Sequence, residues 1–483
     1  MSRLNRFVRP RLGHAVALAA AATVLLGASA AEAATRQVAP GGSDAGDCVG
    51  APCASLGYAY GRSGAGDVVR VAAGVYGDQT VPSGSKAVTF RGTGAVKVRA
   101  LDNSADNVTF DGIDVDAGFA TTAGFENHGA ANVTFRNGSI GNVTDEKGAL
   151  VSGSQFTFDN VLFHDVIVTD SQVHNECVYA IGVPGFTVRN SRFFECATMD
   201  LFFTYGDWWS PRPPAYGNVT VENNVFGHTT MDTPGDWHYY SMVIGNTGSE
   251  TLRDWVIRYN TFEITVAAEY SSSTDSRWVG NLGNWDCVPG FHYSHNVGKK
   301  CGPRDKSVSP ASSTRTREAP FGWVNPLGRD FRLRSGSPAI DAGDPSDAPP
   351  RDHSGLLRDA RPDAGAHEFG GSGHPARPAP AALRIQDARL RPRVICVRRR
   401  RHCPTSARLR IRVSSAARVS ARIVRLRRGH GPRRVRSRAF TVQSRATRHI
   451  RSRGLNRGRY RVVLTARQGA LRSPSKVLKL RVR

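Results

Sequence analysis

"GFTVRNSRF", residues 185–193, reads as a short strand, an asparagine bend and the start of a second strand. Relatives of this phrase recur: "NVTFRNGSI" from Asn132, "QFTFDNVLF" from Gln155, "NVTVENNVF" from Asn218, "DWVIRYNTF" from Asp254, and a faded "GFHYSHNVG" from Gly290. Aligned on their first apolar residue, the units start at Val108, Val133, Phe156, Phe186, Val219, Trp255 and Phe291, spaced 23 to 36 residues apart. One strand signature per unit at such a period marks a solenoid. Positions one and three are apolar, as a strand requires. The fifth position reads Asn137, Asn160, Asn190 and Asn223, and asparagine tolerates the left-handed backbone of a tight bend. An aromatic follows, Phe163, Phe193, Phe226 and Phe262. Coils stacked about 4.8 Å apart would file the asparagines along a corner and the phenylalanines inside.

Each interval holds a further strand-like run ending at or just before glycine: "GALVSG", "CVYAIG", "DLFFTYG", "YSMVIG" and "SRWVG". The expectation is an all-β right-handed parallel β-helix with three short strands per coil, the hand following from the rule for parallel crossovers. Registering these runs on Gly153, Gly182, Gly206, Gly245 and Gly280 places Leu150, Tyr179, Phe203 and Met242 inward. It places Lys147, Glu176, Asp200, Tyr239 and Thr274 in one outward line.

The region 35–302 resembles the right-handed parallel β-helix proteins of the pectate-lyase-like superfamily. "GDVVRVAAGVYGDQTV" (66–81) is similar to the first coil of secreted members. "FRLRSGSPAIDAGDPSD" and "RPDAGAHEFG", within 331–370, are similar to the closing segment of bacterial surface β-helix proteins, so 303–370 is read as that segment. The resemblance implies a fold and export more than a reaction, since members include lyases, hydrolases, epimerases and proteins without known chemistry. Lyases of the superfamily use an arginine or lysine base beside calcium carboxylates, whereas Gly148 to Gly298 contains no lysine. The N-T-D and D-D motifs of the pectin hydrolases are absent from the coils.

A Pro, Ala and Gly-rich linker occupies 371–383. Beyond it, "ARLRIRV", "VSARIVRL", "GRYRVVLTA" and "KVLKLRVR" alternate apolar residues with arginine. That alternation predicts a small arginine-rich β-sandwich over 384–483, resembling immunoglobulin or fibronectin type III modules. Charge divides the chain in the same place. Residues 384–483 hold 33 Lys and Arg against one acid, Asp387, whereas 35–383 hold 28 basic against 38 acidic residues. The cationic part is expected to adhere to an anionic cell-wall polymer through salt-sensitive contacts. Only Phe440 and Tyr460 interleave its arginines, which disfavours a specific nucleic-acid partner.

Residues 1–34 read as a secretory signal: arginines at 3, 6, 9 and 11, a short apolar run, then the cleavage pattern Ala31-Glu32-Ala33. The expected product is secreted or surface-associated, with no transmembrane segment after signal removal. Eight cysteines form four couples by proximity in sequence, Cys48 with Cys53, Cys177 with Cys196, Cys287 with Cys301 and Cys396 with Cys403, which suits an oxidising exterior.

The intervals of 30 residues or more carry the loops, where binding and catalysis concentrate. The candidate catalytic set is Lys147, Glu176, Asp200, Tyr239, His174 and His238, an acid/base constellation on the exposed strand face. Glu176, Asp200 and Asp236 are the candidate cation ligands, with Ca²⁺ the candidate ion, because adjacent carboxylates ionise together only around a cation. The clustered Asp111, Asp114 and Asp116 are a second possible Ca²⁺ set. The competing reading makes Lys147, Glu176 and Asp200 a solvated charge ladder. Trp208, Trp209, Trp237 and Tyr240 are candidates for stacking on sugar rings. Two functions stay open: a polysaccharide-binding surface protein, or a polysaccharide lyase or glycoside hydrolase.

Overall fold

The computed structural model describes residues 35–169, 174–205, 216–227, 240–245, 251–269, 272–309, 321–370 and 385–483, less 399, 414–416, 428–429, 443–444, 469–470 and 474. The expected signal, 1–34, and the expected linker, 371–383, lie outside these. The chain is all-β with large parallel sheets, consistent with a β-solenoid. Thr89, Thr109, Thr134, Thr157, Thr187 and Thr220 stand opposite one another on successive parallel strands, and the path continues through Val256, Arg277 and His292. The repeated phrases are therefore neighbours in space.

Arg277 on this path corrects one expectation. "SRWVG" is a further copy of the phrase, because Ser276–Val279 pairs between the strands that begin at Val256 and Phe291. Serine at the first apolar position disguised it. The strand that joins the other sheet here is Val266–Ala268.

The phrase bends twice. Asn137, Asn160, Asn190 and Asn223 have φ of 52 to 58°, and Tyr259, Gly280 and His295 continue that corner. A second left-handed corner precedes the first apolar residue, at Asn107, Asn132, Gln155, Gly185, Asn218, Asp254, Asp275 and Gly290. Asn and Gly recur at both because their side chains meet least resistance at positive φ.

Inside, Phe163, Phe193, Phe226 and Phe262 stack face to face, with successive centroids 4.6, 4.6 and 4.9 Å apart. A fully buried asparagine ladder lies one residue beyond the corner. Ser191 N–H donates to Asn224 Oδ1, Asn224 N–H to Asn260 Oδ1, Asn260 N–H to Asn281 Oδ1 and Asn281 N–H to Asn296 Oδ1, at 2.8 to 3.0 Å. The Nδ2 groups of Asn224, Asn260, Asn281 and Asn296 donate to Val188, Val221, Ile257 and Trp278 carbonyls. The left-handed asparagine turns its side chain outward, so its successor enters the core.

On the outer face of the same strands the charges alternate in register: Arg91, Asp111, Arg136, Asp159, Arg189, Glu222, Arg258. Asp111 meets both Arg91 and Arg136, Arg189 meets Asp159, and Arg258 meets Glu222. Exposed pairs contribute roughly 0–1 kcal/mol each. Their larger effect is on register, since a slip of one coil sets like charge against like.

The segment 321–370 lies along the side of the stack. Its Phe321, Trp323, Phe331, Leu333, Ala339 and Ala364 form one buried cluster with Phe194, Val225, Leu282 and Val297 of the coils. Arg258 and Arg277 meet Asp347 at 2.7 Å, Tyr259 OH donates to the Asp344 carbonyl, and Arg358 donates to Asn223 Oδ1. At the other end a short helix, Leu56–Arg62, capped by Ser55, buries Leu56, Ala59 and Tyr60 in the core of the first coils.

Disulfides join Cys48–Cys53, Cys177–Cys196, Cys287–Cys301 and Cys396–Cys403. Among the described residues no helix is long and apolar enough to cross a membrane. Both features are compatible with an extracellular protein. Residues 385–483 form mostly antiparallel strands in a three-stranded and a six-stranded sheet, which share one buried cluster including Leu409, Ile423, Tyr460 and Val462.

Asn260→Ala removes the acceptor of the Asn224 N–H and the donors to two buried carbonyls. Each stranded group costs about 1–3 kcal/mol. The expected outcome is a clear drop in the urea midpoint at unchanged m-value, whereas Asn160→Gly at the exposed corner costs less than about 1 kcal/mol. Equal losses would remove the ladder from the account.

Candidate functional site

The candidate site lies on the outer face of the eight-stranded parallel sheet. Its in-register line runs Thr80, Asp102, Glu126, Leu150, Tyr179, Phe202, Val243, Ala267. This corrects the expected columns. Leu150 and Tyr179 stand on the outer face, while Val151, Ala180, Phe203 and Ile244 join Met242 in the core. The closing glycines misled because they are not equivalent: Ile181 pairs with Thr204, so Gly182 falls opposite Tyr205 and not Gly206.

The slip also separates the expected acid line. Glu176 pairs with Met199, leaving Asp200 one position out of register, and both carboxylates are fully buried instead of lining an exposed face. Lys147 is partly exposed and stands beside Glu176 through the Gly148 N–H, which donates to the Glu176 carbonyl at 2.9 Å. Thr274 leaves the line altogether and pairs with Arg253. His174 is half-buried, with Nδ1 on Glu176 Oε1. Glu176 Oε2 is buried and has no hydrogen-bond partner among the described residues. Tyr240, half-buried, starts a strand opposite Met199. Trp208, Trp209, Asp236, Trp237, His238 and Tyr239 lie outside the described residues.

Two adjoining zones result. In the first, Tyr179 and Phe202 stack at 5.1 Å with rings 6° from parallel, and the His174 ring meets Phe202 edge-on at 6.0 Å. In the second, Asp102, Glu126 and His128 bring one ligand atom each within 4.8 Å of one another, a group that can share a cation. Burial pushes the Glu126 carboxyl up, His128 opposes this, and Asp102 and Glu146 add to it. Sequence reading missed this zone, although "LDN" (101–103) and "FEN" (125–127) repeat one pattern of apolar residue, acid and asparagine. The asparagines of that pattern stack too: buried Asn103 Nδ2 donates to Asn127 Oδ1 at 2.8 Å.

Asp111, Asp114 and Asp116 point along the other sheet and are engaged within the chain. Asp111 accepts from Arg136 and Asn137, Asp114 from Ser139, and Asp116 from Lys97 and Asn142. They are ladder members.

Comparison with protein-family models, with curated proteins and with solved structures found no match. The functional reading rests on the geometry of this face.

Since the Glu126 carboxyl is harder to ionise in the folded chain than in the unfolded one, its contribution to stability is full below about pH 4.5 and is lost as pH rises through its raised folded value. Glu126→Gln is therefore expected to raise the urea midpoint at pH 7 relative to the parent, with the gain vanishing below pH 4.5. A gain independent of pH would contradict this.

Proposed function

We propose that the chain is an exported right-handed parallel β-helix of the pectate-lyase-like kind that binds polysaccharide along the outer face of the eight-stranded sheet. Residues 384–483 are an immunoglobulin-like β-sandwich that tethers it to an anionic wall polymer. The observation that carries the reading is the Tyr179–Phe202 ring stack on the outer side of the sheet, with Tyr179 buried and Phe202 half-buried, beside the Asp102–Glu126–His128 group. Sugar rings present C–H faces that pack on aromatic surfaces, and their hydroxyls are recognised by carboxylates and imidazoles alongside. Coil spacing of about 4.8 Å gives such a face the repetitive character of a chain ligand. The tether reading is supported by the 33 basic residues that one acid cannot neutralise.

A second reading, a polysaccharide lyase or glycoside hydrolase, is favoured by one observation. The buried Glu176 carboxylate shares one oxygen with His174 and leaves the other without a partner among the described residues. A carboxylate held in place by an imidazole is a general-base arrangement.

Affinity electrophoresis of the full chain in gels cast with neutral and acidic polysaccharides tests both. Retardation by at least one glycan is expected, with affinity falling about tenfold, or 1.4 kcal/mol, in Phe202→Ala. No retardation across the panel, or retardation indifferent to Phe202→Ala, rejects the binding face. Release of reducing ends or of an unsaturated product, abolished by Glu176→Gln, would establish the enzyme reading in its place.

A further inference from the structure

The strands His430–Val442 and Arg445–Arg451 are edges of the six-stranded and three-stranded sheets of the cationic region, each paired on one side only among the described residues. The two edges lie across a shared core and are not paired with one another as strands. Between them opens a cleft of about 720 Å³. Its floor is apolar: Leu409, Ile423 and Ile450 from the shared core, with the half-exposed Phe440 ring at the mouth. Its rim is arginine: Arg438, Arg448, Arg451 and Arg453. Arg436 closes one end by donating to the Arg451 and Arg453 carbonyls. The Arg448 guanidinium lies 4.8 Å from the centre of the Phe440 ring, so cation and apolar surface are presented together.

Nothing within this region balances the rim, because its single acid, Asp387, is held by Arg389 at 3.1 Å. A counter-charge has to come from outside. A polymer lying on the surface would neutralise the arginines and leave the floor wet, whereas a ligand carrying an anionic group at one end and hydrocarbon at the other satisfies both. The volume suits it, since small-molecule clefts span roughly 300–1,000 Å³. We propose that this cleft binds a phosphate-headed acyl lipid, with the chain on Leu409, Ile423, Phe440 and Ile450 and the head among Arg438, Arg448 and Arg453. The site is separate from the polysaccharide face and goes beyond a polymer tether, since it demands hydrocarbon as well as charge.

The test is calorimetric titration of the full chain with decyl phosphate, inorganic phosphate and decyl maltoside, each below its micellar concentration. Decyl phosphate is expected to bind at least about tenfold tighter than either of the others. Phe440→Ser, and Arg438→Glu with Arg453→Glu, should each weaken it about tenfold or more. The matched reversal Arg389→Glu with Arg481→Glu, away from the cleft, should leave it unchanged. Equal binding of inorganic phosphate would show that charge alone acts and that the arginines merely keep two edge strands from pairing. Equal binding of decyl maltoside would show that hydrocarbon alone acts. Either result overturns the proposal without needing a variant to fold. Retention of long-chain polyphosphate on the parent chain, with decyl phosphate failing to bind, would spare the tether and reject the cleft.

Discussion

The asparagine one residue beyond each corner completes the hydrogen bonding of the coil before it. At the bend after each phrase the backbone leaves the sheet ladder, and its N–H is buried where water cannot reach. The side-chain carbonyl of Asn224, Asn260, Asn281 or Asn296 supplies the missing acceptor, while the amide of the same side chain takes a carbonyl of the preceding coil. A single coil can satisfy neither group. With the phenylalanine file inside, this makes each coil's stability a property of its neighbours, as in other one-dimensional folds. The alternating charges outside then decide which neighbour is the right one.

The segment 321–370 extends that logic sideways. It covers the outer apolar residues Val225, Leu282 and Val297, and pins two successive coils through Asn223, Arg258 and Tyr259. Its centre is a buried ion pair, Arg358 with Glu368 at 2.5 Å, and Arg358 also lies 4.4 Å over the Tyr259 ring. Burial pushes the Glu368 carboxyl up to about 7 against the pull of Arg358. Such a pair adds little net stability, but removing one member strands the other, which makes the docking position unambiguous.

The sequence was most legible where residue type and period agreed. Phe163, Phe193, Phe226 and Phe262 could be placed in one file because an aromatic at constant offset from the left-handed corner has only one side of the coil to occupy. The second corner was hidden, since Asn, Gln, Gly and Asp alternate there and only the backbone angle is shared. The buried ladder was hidden by one position, because outward and inward asparagines are adjacent in the text. The eight-stranded sheet was misregistered because the glycines that close its runs do not fall at equivalent positions, Gly182 standing opposite Tyr205. That slip moved Tyr179 from the core to the outer face and put Asp200 out of line with Glu176. The cation-capable group escaped because Asp102 and Glu126 stand outside the repeated phrase, on the other sheet.

The distance between Thr89 and Thr220 bears on all of this most directly. They are five strands apart in register, so at about 4.8 Å per strand they should lie about 24 Å apart despite the length of chain between them. Spin labels on Thr89→Cys and Thr220→Cys, read by pulsed dipolar spectroscopy, are expected to give one narrow distribution near that value after allowance for the label arms. A broad distribution, or a mean well beyond about 35 Å, would contradict the stacking from which the fold, the face and its proposed ligand all follow.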